Sequence, residues 1–330
     1  MPSLVSFPDI ARLKVVVLFL KVAQSQGISL SVPEGSMISF HNSPYYSHNH
    51  CLAIDLYSSN LAFGGSAPSP VDGIVRCIRR FESPGSKWFE APKFEPLILV
   101  EGDENPKFLL KILHLNPSVQ ESDHVHVGNS LGTYLRSAYF HRWTDPHMHI
   151  EIRHPSDPIR ARGGLPIAQI NDIKTDAFSS CHVQNMSGRF SLVADEYALI
   201  EMDVPLSRLG YYSSLAASID GVQGLLDCGI PHYECGGLLL PSMLGIRSTS
   251  TLRVNGEVIG RVSKVIDSSI VFDTLRTVVK VNEIPVLGLS LRLHVGDSRT
   301  VKVIPTDLSD FPYMEGDAAE ILIQGLASER

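Results

Sequence analysis

One stretch constrains this chain more than any other: Pro146-His147-Met148-His149-Ile150-Glu151-Ile152-Arg153. Polar and apolar residues alternate along it, with His147, His149 and Glu151 on one side and Met148, Ile150 and Ile152 on the other. A period of two is a β-strand pattern, because successive side chains of a strand point to opposite faces. The apolar face predicts a core contact. Two imidazoles at i and i+2 point the same way and can share one small site, although the polar face of a half-exposed strand reads alike.

Around this strand the text is β-like. Short apolar segments at Ile28–Val32, Met37–Phe40, Leu52–Tyr57, Leu97–Glu101 and Phe108–Leu115 are separated by turn residues, among them Pro33-Glu34-Gly35 and Gly102-Asp103-Glu104-Asn105. Val71-Asp72-Gly73-Ile74 reads as a hairpin turn entering another strand. The composition changes after Arg153, where Pro155, Pro158 and Arg160-Ala161-Arg162-Gly163-Gly164 suggest a boundary. The expected organisation is a lead-in element over 1–30, an antiparallel β domain over 31–155 and a β-rich C-terminal domain over 165–330. Asn255-Gly256 marks a hairpin in the last. One helix is predicted there, over Tyr211–Leu226, from Leu215, Ile219, Val222 and Leu226 at helical spacing.

A chain of 330 residues with 44% hydrophobic and 19% charged residues can bury a sizeable core. A net charge of −7 argues against sequence-independent binding of nucleic acid, which needs a basic surface. The apolar run Val15–Leu20 is too short to span a bilayer, and no small-residue cleavage site follows it. No membrane partner is expected. Five scattered cysteines without a CxxC pair favour free thiols and a cytoplasmic location.

Ten of the 13 histidines lie between His41 and His154. Zinc takes imidazole nitrogen and carboxylate oxygen, and a catalytic zinc keeps one position for water. Three groups offer candidates: His48 or His50 with Asp55, then His114, then the His147/His149 pair. A histidine on an otherwise apolar strand, as His114 is, reads by default as a satisfied core residue.

The order and surroundings of these groups resemble the lysostaphin-like (LytM-type) zinc metallopeptidases. The resemblance is carried by Ala53-Ile54-Asp55-Leu56, Ser69-Pro70-Val71-Asp72-Gly73-Ile74-Val75, Leu113-His114-Leu115, Val127-Gly128-Asn129-Ser130-Leu131-Gly132 and Pro146-His147-Met148-His149-Ile150-Glu151-Ile152. It covers about residues 30–155. It implies a mostly all-β fold, an antiparallel barrel or sandwich of the duplicated hybrid motif type. It further implies Zn2+ held by Asp55, His149 and a histidine upstream of Asp55, with His114 and His147 flanking a bound water as the catalytic pair. The implied activity is hydrolysis of a peptide or amide bond, and the implied partner is a peptide-like substrate.

This chain departs from the family where His and Asp are separated by three residues: His50 has four between and His48 has six. His50 would need a bulge to share a face with Asp55, and His48 would need the chain to turn. His48 is preferred, because Asn49 and its polar surroundings suit a turn; His50 is the alternative and His41 the outside option. That departure also leaves open a catalytically silent metal- or ligand-binding relative, and, more weakly, a histidine phosphocarrier. Glu151 reads as a solvated strand residue or a partner of His149, with the former favoured. His124 and His126 read as an exposed strand end. Asp145 and Trp143 read as cleft lining or structural loop, Arg160 and Arg162 as anion ligands or partners of Asp157, and Cys228, His232 and Cys235 as structural.

Overall fold

The computed structural model describes residues 17–326 except 59–60, 171–177, 179–185, 242–244, 267–268 and 308–310. Val15 and Val16 of the apolar run, and Cys181 among the five cysteines, lie outside the described residues. Among the described residues the regular elements are strands, with one 3-10 turn at His48–His50 and no α-helix, as an all-β fold requires. No helix there is long and apolar enough to cross a membrane. The lead-in is a hairpin: Phe19–Ser25 turns through Gln26-Gly27 onto Ile28–Pro33 and also pairs with Ala168–Gln169.

The predicted helix over Tyr211–Leu226 is not formed. That stretch makes the strands Tyr212–Ser214, Ala216–Ile219 and Val222–Ile230. Asp220 and Gly221 both have positive φ, 50° and 83°, which is the two-residue hairpin turn whose twist matches its strands. Ile219 pairs with Val222 across it. The turn chemistry of Asp-Gly overrides four apolar residues that happen to fall at helical spacing.

His147–Arg153 runs inside a ten-stranded antiparallel sheet, between Ile54–Tyr57 and Leu109–Leu113. Its apolar face, Met148, Ile150 and Ile152, packs in a core with Leu30, Ile98 and Leu110. Truncating a fully buried residue such as Ile150 to Ala costs about 2–5 kcal/mol, so the strand is held firmly. Register places His149 opposite both Asp55 and Leu113. Beyond Met37–Ser39 the same sheet continues into Leu293–Val295, Tyr212–Ser214 and Ser207–Leu209, from the C-terminal half. Leu209, Tyr212, Leu225, Leu239, Leu293 and Val295 complete the first core. A second core fills a 13-stranded sheet between Met186 and Ile323.

Candidate metal centre

Three side chains converge behind the His147 strand. Asp55 stands on Ile54–Tyr57 and His149 directly across from it, so adjacent strands present carboxylate and imidazole on one face. His48 arrives from the connection between Met37–Ser39 and Ile54–Tyr57. The turn that its spacing from Asp55 requires is the 3-10 turn His48–His50, ended by Cys51 in the left-handed region (φ 54°). The C-terminal half holds the start of this connection. The buried Asp227 carboxylate accepts from Ser39 Oγ (2.6 Å), Phe40 N (2.6 Å) and His41 N (3.0 Å). Gly237 lies against the His41 ring, where an added Cβ would come within 2.0 Å of Cδ2.

The donor atoms are spaced as ligands of one ion. Asp55 Oδ1 is 3.3 Å from His48 Nε2 and 2.9 Å from His149 Nδ1, and the two nitrogens are 3.2 Å apart. Ligands at ~2.0–2.1 Å around a tetrahedral zinc stand roughly 3.3 Å from one another. Outer hydrogen bonds set the tautomers. His48 Nδ1 donates to the Phe40 carbonyl (2.9 Å) and His149 Nε2 to Glu151 Oε1 (3.2 Å), so Nε2 of His48 and Nδ1 of His149 are lone pairs in the neutral rings. Two lone pairs and a carboxylate oxygen therefore face each other, each at most 8% exposed by residue. Such a trio repels itself unless positive charge, a proton or a cation, sits among it, so the donor set fits a divalent metal.

The protonation of Asp55 and His149 reflects the same demand for positive charge. Burial pushes His149 down, but its bonds to Asp55 and Glu151 outweigh burial and carry it up to about 9. Burial would raise Asp55, yet the charges of His48 and His147 and its hydrogen bonds hold it well below the carboxylate range. Among the described residues, His48, Asp55 and His149 are the group of three such side chains whose donors come within 4.8 Å of one another. His50 is turned away: its ring stacks on Tyr46 at 3.9 Å and its Nε2 accepts from Lys264 Nζ (3.1 Å). His41 donates through Nδ1 to the His48 carbonyl (3.1 Å), and burial lowers it to about 3.

Two more imidazoles close the site. His147 Nε2 is 3.6 Å from Asp55 Oδ2, and its Nδ1 donates to the Asp145 carbonyl (2.9 Å). Burial foremost, only partly offset by Asp55, lowers it to about 4. His114 lies where the chain leaves the large sheet after Leu109–Leu113 and enters a three-stranded one as Leu115–Pro117. Its φ of 68° is unusual outside glycine, and Glu95 pins it: Oε1 accepts from both His114 N (2.9 Å) and Nδ1 (2.7 Å). Ser137 Oγ donates to Glu95 Oε2 (2.7 Å). Burial would raise the Glu95 carboxyl, but the bond from His114 and its other donors bring it below the usual range. The His114 and His147 rings are 5.3 Å apart, with Phe140 stacked on His147 at 4.6 Å and edge-on to His114 at 4.7 Å.

Glu151 is not solvated. It is 2% exposed, takes Lys111 Nζ (2.9 Å) with its bond from His149, and takes Arg153 Nη1 (2.7 Å) on its other oxygen. Alternation identifies a strand's second face but not whether that face is covered; here Asp157 and Arg160 cap it through Arg153 and Lys111. Asp145 is a buried anchor, 2.5 Å from Arg292 Nη1 and 2.8 Å from Lys302 Nζ. Its carboxyl is held low because those two cations outweigh burial. Arg160 reaches Asp157 at 3.7 Å, and Arg162 lies over the Tyr46 ring. His124 and His126 are exposed and pair with Asp103 and Asp72. Cys51, Cys77, Cys228 and Cys235 form no disulfide.

Together the five residues line a chamber of ≈50 Å³, walled also by Tyr233 and Arg292 of the C-terminal half. Glu95, Asp227, Arg292 and Lys302 were not singled out by sequence. Asp227 and Lys302 are nonetheless lone charges inside apolar strands, in Leu225-Leu226-Asp227-Cys228 and Val301-Lys302-Val303, and buried charges demand partners.

Residues 30–169 match the domain of unknown function DUF8155 N-terminal domain, and residues 184–324 match the DUF8155 C-terminal domain. The chain carries both DUF8155 domains, in that order. Among solved structures it is similar to a zinc-containing peptidase from Vibrio cholerae, at 22% identity, with 35% of this chain and 31% of that one covered and a TM-score of 0.23. The chain thus spans about a third of that peptidase. It is also similar to the catalytic domain of the antimicrobial peptidase lysostaphin from Staphylococcus simulans, at 15% identity, 40% and 88% coverage and a TM-score of 0.28. Lysostaphin itself, from the same organism, aligns at 10% identity over 73% of this chain and 88% of that one, TM-score 0.27. No curated protein matches the chain.

Proposed function

We propose that this chain is a divergent relative of the lysostaphin-like metallopeptidases that binds Zn2+ and hydrolyses a peptide or amide bond. The observation that carries this reading is the convergence of three donor atoms, His48 Nε2, Asp55 Oδ1 and His149 Nδ1, beside two further imidazoles. Those three residues would hold the metal, and Glu151 would keep His149 in the binding tautomer. When bound there, zinc lowers the pKa of a coordinated water from ~15.7 towards ~7 and polarises the substrate carbonyl.

The chain's own residues supply the proton transfers. With Nδ1–H given to Glu95, the other ring nitrogen of His114 is free to accept the proton that the attacking water loses. The adjacent carboxylate stabilises the imidazolium that results, and His114 then delivers the proton to the leaving amine. His147, held by the Asp145 carbonyl, offers a second neutral nitrogen beside Asp55 and orients the nucleophile. Phe140 packs against both rings and limits water.

Purified protein should contain close to one zinc and cleave members of a peptide library, with activity removed by chelator and restored by zinc. Zinc-loaded protein that turns over no peptide contradicts the hydrolase reading. One observation favours a metal-binding relative without turnover: the chamber is small, and Tyr45 Oη donates to the Tyr139 carbonyl (2.7 Å), tying together two loops that line it. His114→Ala and His147→Ala discriminate, since a biological activity that survives both belongs to binding, not hydrolysis.

A further inference from the structure

A groove of ≈400 Å³ lies immediately outside the chamber and shares His114, His149, Tyr45 and Tyr139 with it. Its walls are apolar: Tyr46, Phe81, Leu97, Leu113, Ile159 and Ala161. Four aromatic rings on it stay open to solvent, Tyr45 at 50%, Tyr139 at 42%, Tyr46 at 39% and Phe81 at 37% exposed. Clustered exposed aromatics beside a polar site are characteristic of a recognition surface.

The charges in the groove are engaged elsewhere. Glu95 serves His114 and Ser137, while Lys111 and Glu151 pair with each other. Glu151 also binds Arg153, and Arg162 at the groove edge stacks on Tyr46. What remains on offer is apolar surface. The Tyr46 ring is held in place by His50, stacked on it at 3.9 Å, and by Arg162 over it at 4.7 Å.

Resting on the hydrolase reading above, we propose that this groove is the subsite for a large apolar side chain adjoining the bond to be cleaved. The substrate class is then a peptide with an aromatic or branched aliphatic residue beside the scissile bond, as opposed to a glycine-rich one. A glycine there leaves the groove filled with water, whereas a Phe or Leu side chain removes apolar surface from water on both partners. The expected preference is roughly 10- to 100-fold in kcat/KM.

Two readouts keep this inference separate from the hydrolase reading. The first is kcat/KM of the zinc-loaded chain on capped tetrapeptides in which the residue on either side of the scissile bond is Phe, Leu, Ala or Gly. The second needs no turnover: N-acetyl-phenylalaninamide, with N-acetyl-glycinamide as control, titrated against the methyl resonances of Leu97 and Leu113. The inference expects Phe and Leu peptides to be favoured, and Leu97 and Leu113 shifted by the phenylalanine probe alone. Ala161→Trp, which fills the groove, should abolish both effects, and Phe81→Ala should weaken them about tenfold. Cleavage that ignores this residue, together with no shift by the probe, overturns the groove and leaves the hydrolase reading standing. Probe binding sensitive to Ala161→Trp, with no peptide cleaved, supports the groove and removes the hydrolase.

Discussion

The two halves of this molecule are both antiparallel β with an apolar core, yet they bury charge for different ends. In the half that ends near Gln169, the buried acids and imidazoles His48, Asp55, Glu95, His114, His147, His149 and Glu151 form the site itself. Among the described residues the half that begins at Met186 buries three charged side chains, Asp227, Arg292 and Lys302, and each ends on the other half. Asp227 holds the backbone at Phe40 and His41, whose connection delivers His48. Arg292 and Lys302 hold Asp145, whose carbonyl positions His147, and Lys302 also donates to the Trp143 carbonyl (2.5 Å). A buried ion pair is weak evidence for stability, but the two pairs on Asp145 and the hydrogen bonds to Asp227 all fix loops that carry the site. The C-terminal half acts as the clamp and the first half as the jaw.

The sharpest way to break this comparison is at the donors. Asp55→Ala removes the carboxylate that His48, His147 and His149 share. Bound metal measured by plasma emission should fall below a tenth of an equivalent, and peptide hydrolysis by ~10³-fold or more, about 4 kcal/mol. Unchanged metal content would mean that the donors are elsewhere.

The clamp is tested next. Arg292→Met strips one of the two cations from the buried Asp145 and should cost about 3–5 kcal/mol in urea unfolding, with a fall in activity as His147 loses its support. Arg208→Ala, which breaks an exposed pair with Asp297 in the same half, should cost ~0.5 kcal/mol or less. Equal costs for the two would erase the distinction between a clamp and an ordinary β domain.

Within the jaw, Glu95→Gln keeps the shape but weakens the support of a protonated His114. It should lower kcat about 10- to 100-fold with KM and zinc content unchanged, and Glu95→Asp should recover part of the loss. An unaltered kcat would demote Glu95 to packing.

The smallest effect expected is on the acid side of stability. Asp145 and Glu95 are both held below their unfolded values, so the folded state binds their protons less readily than the unfolded chain does. Their contribution is therefore complete above the unfolded carboxylate range of ~3.9–4.3 and is lost as pH falls from there through their lower folded values. The melting temperature should drop below about pH 4, and the drop should be shallower in Asp145→Asn.

How much of this was legible in the sequence follows from the range of the interactions. Local alternation was enough for the His147 strand, because a period of two is a property of neighbours. The 3-10 turn that brings in His48 was readable as a polar stretch between two strands. The clamp was not, because Asp227 meets Phe40 and Lys302 meets Asp145 across more than 150 residues, and no local pattern encodes such a pairing. Its trace was the lone charge in an apolar strand, a signal that says a partner exists without saying where. The same limit explains Glu151, where the strand pattern was right and the covering loop was invisible. At Tyr211–Leu226 a local signal was present and outweighed: Asp220-Gly221 marked the hairpin that helical spacing hid.

The central claim is that His48, Asp55 and His149 grip one divalent cation. X-ray absorption and anomalous diffraction at the zinc edge on zinc-loaded protein test it most directly. The account predicts a single ion with two imidazole nitrogens and one carboxylate oxygen as protein ligands, unaltered in His50→Ala. An ion bound away from Asp55, at His124 and His126 for instance, or no ion at all, would contradict it.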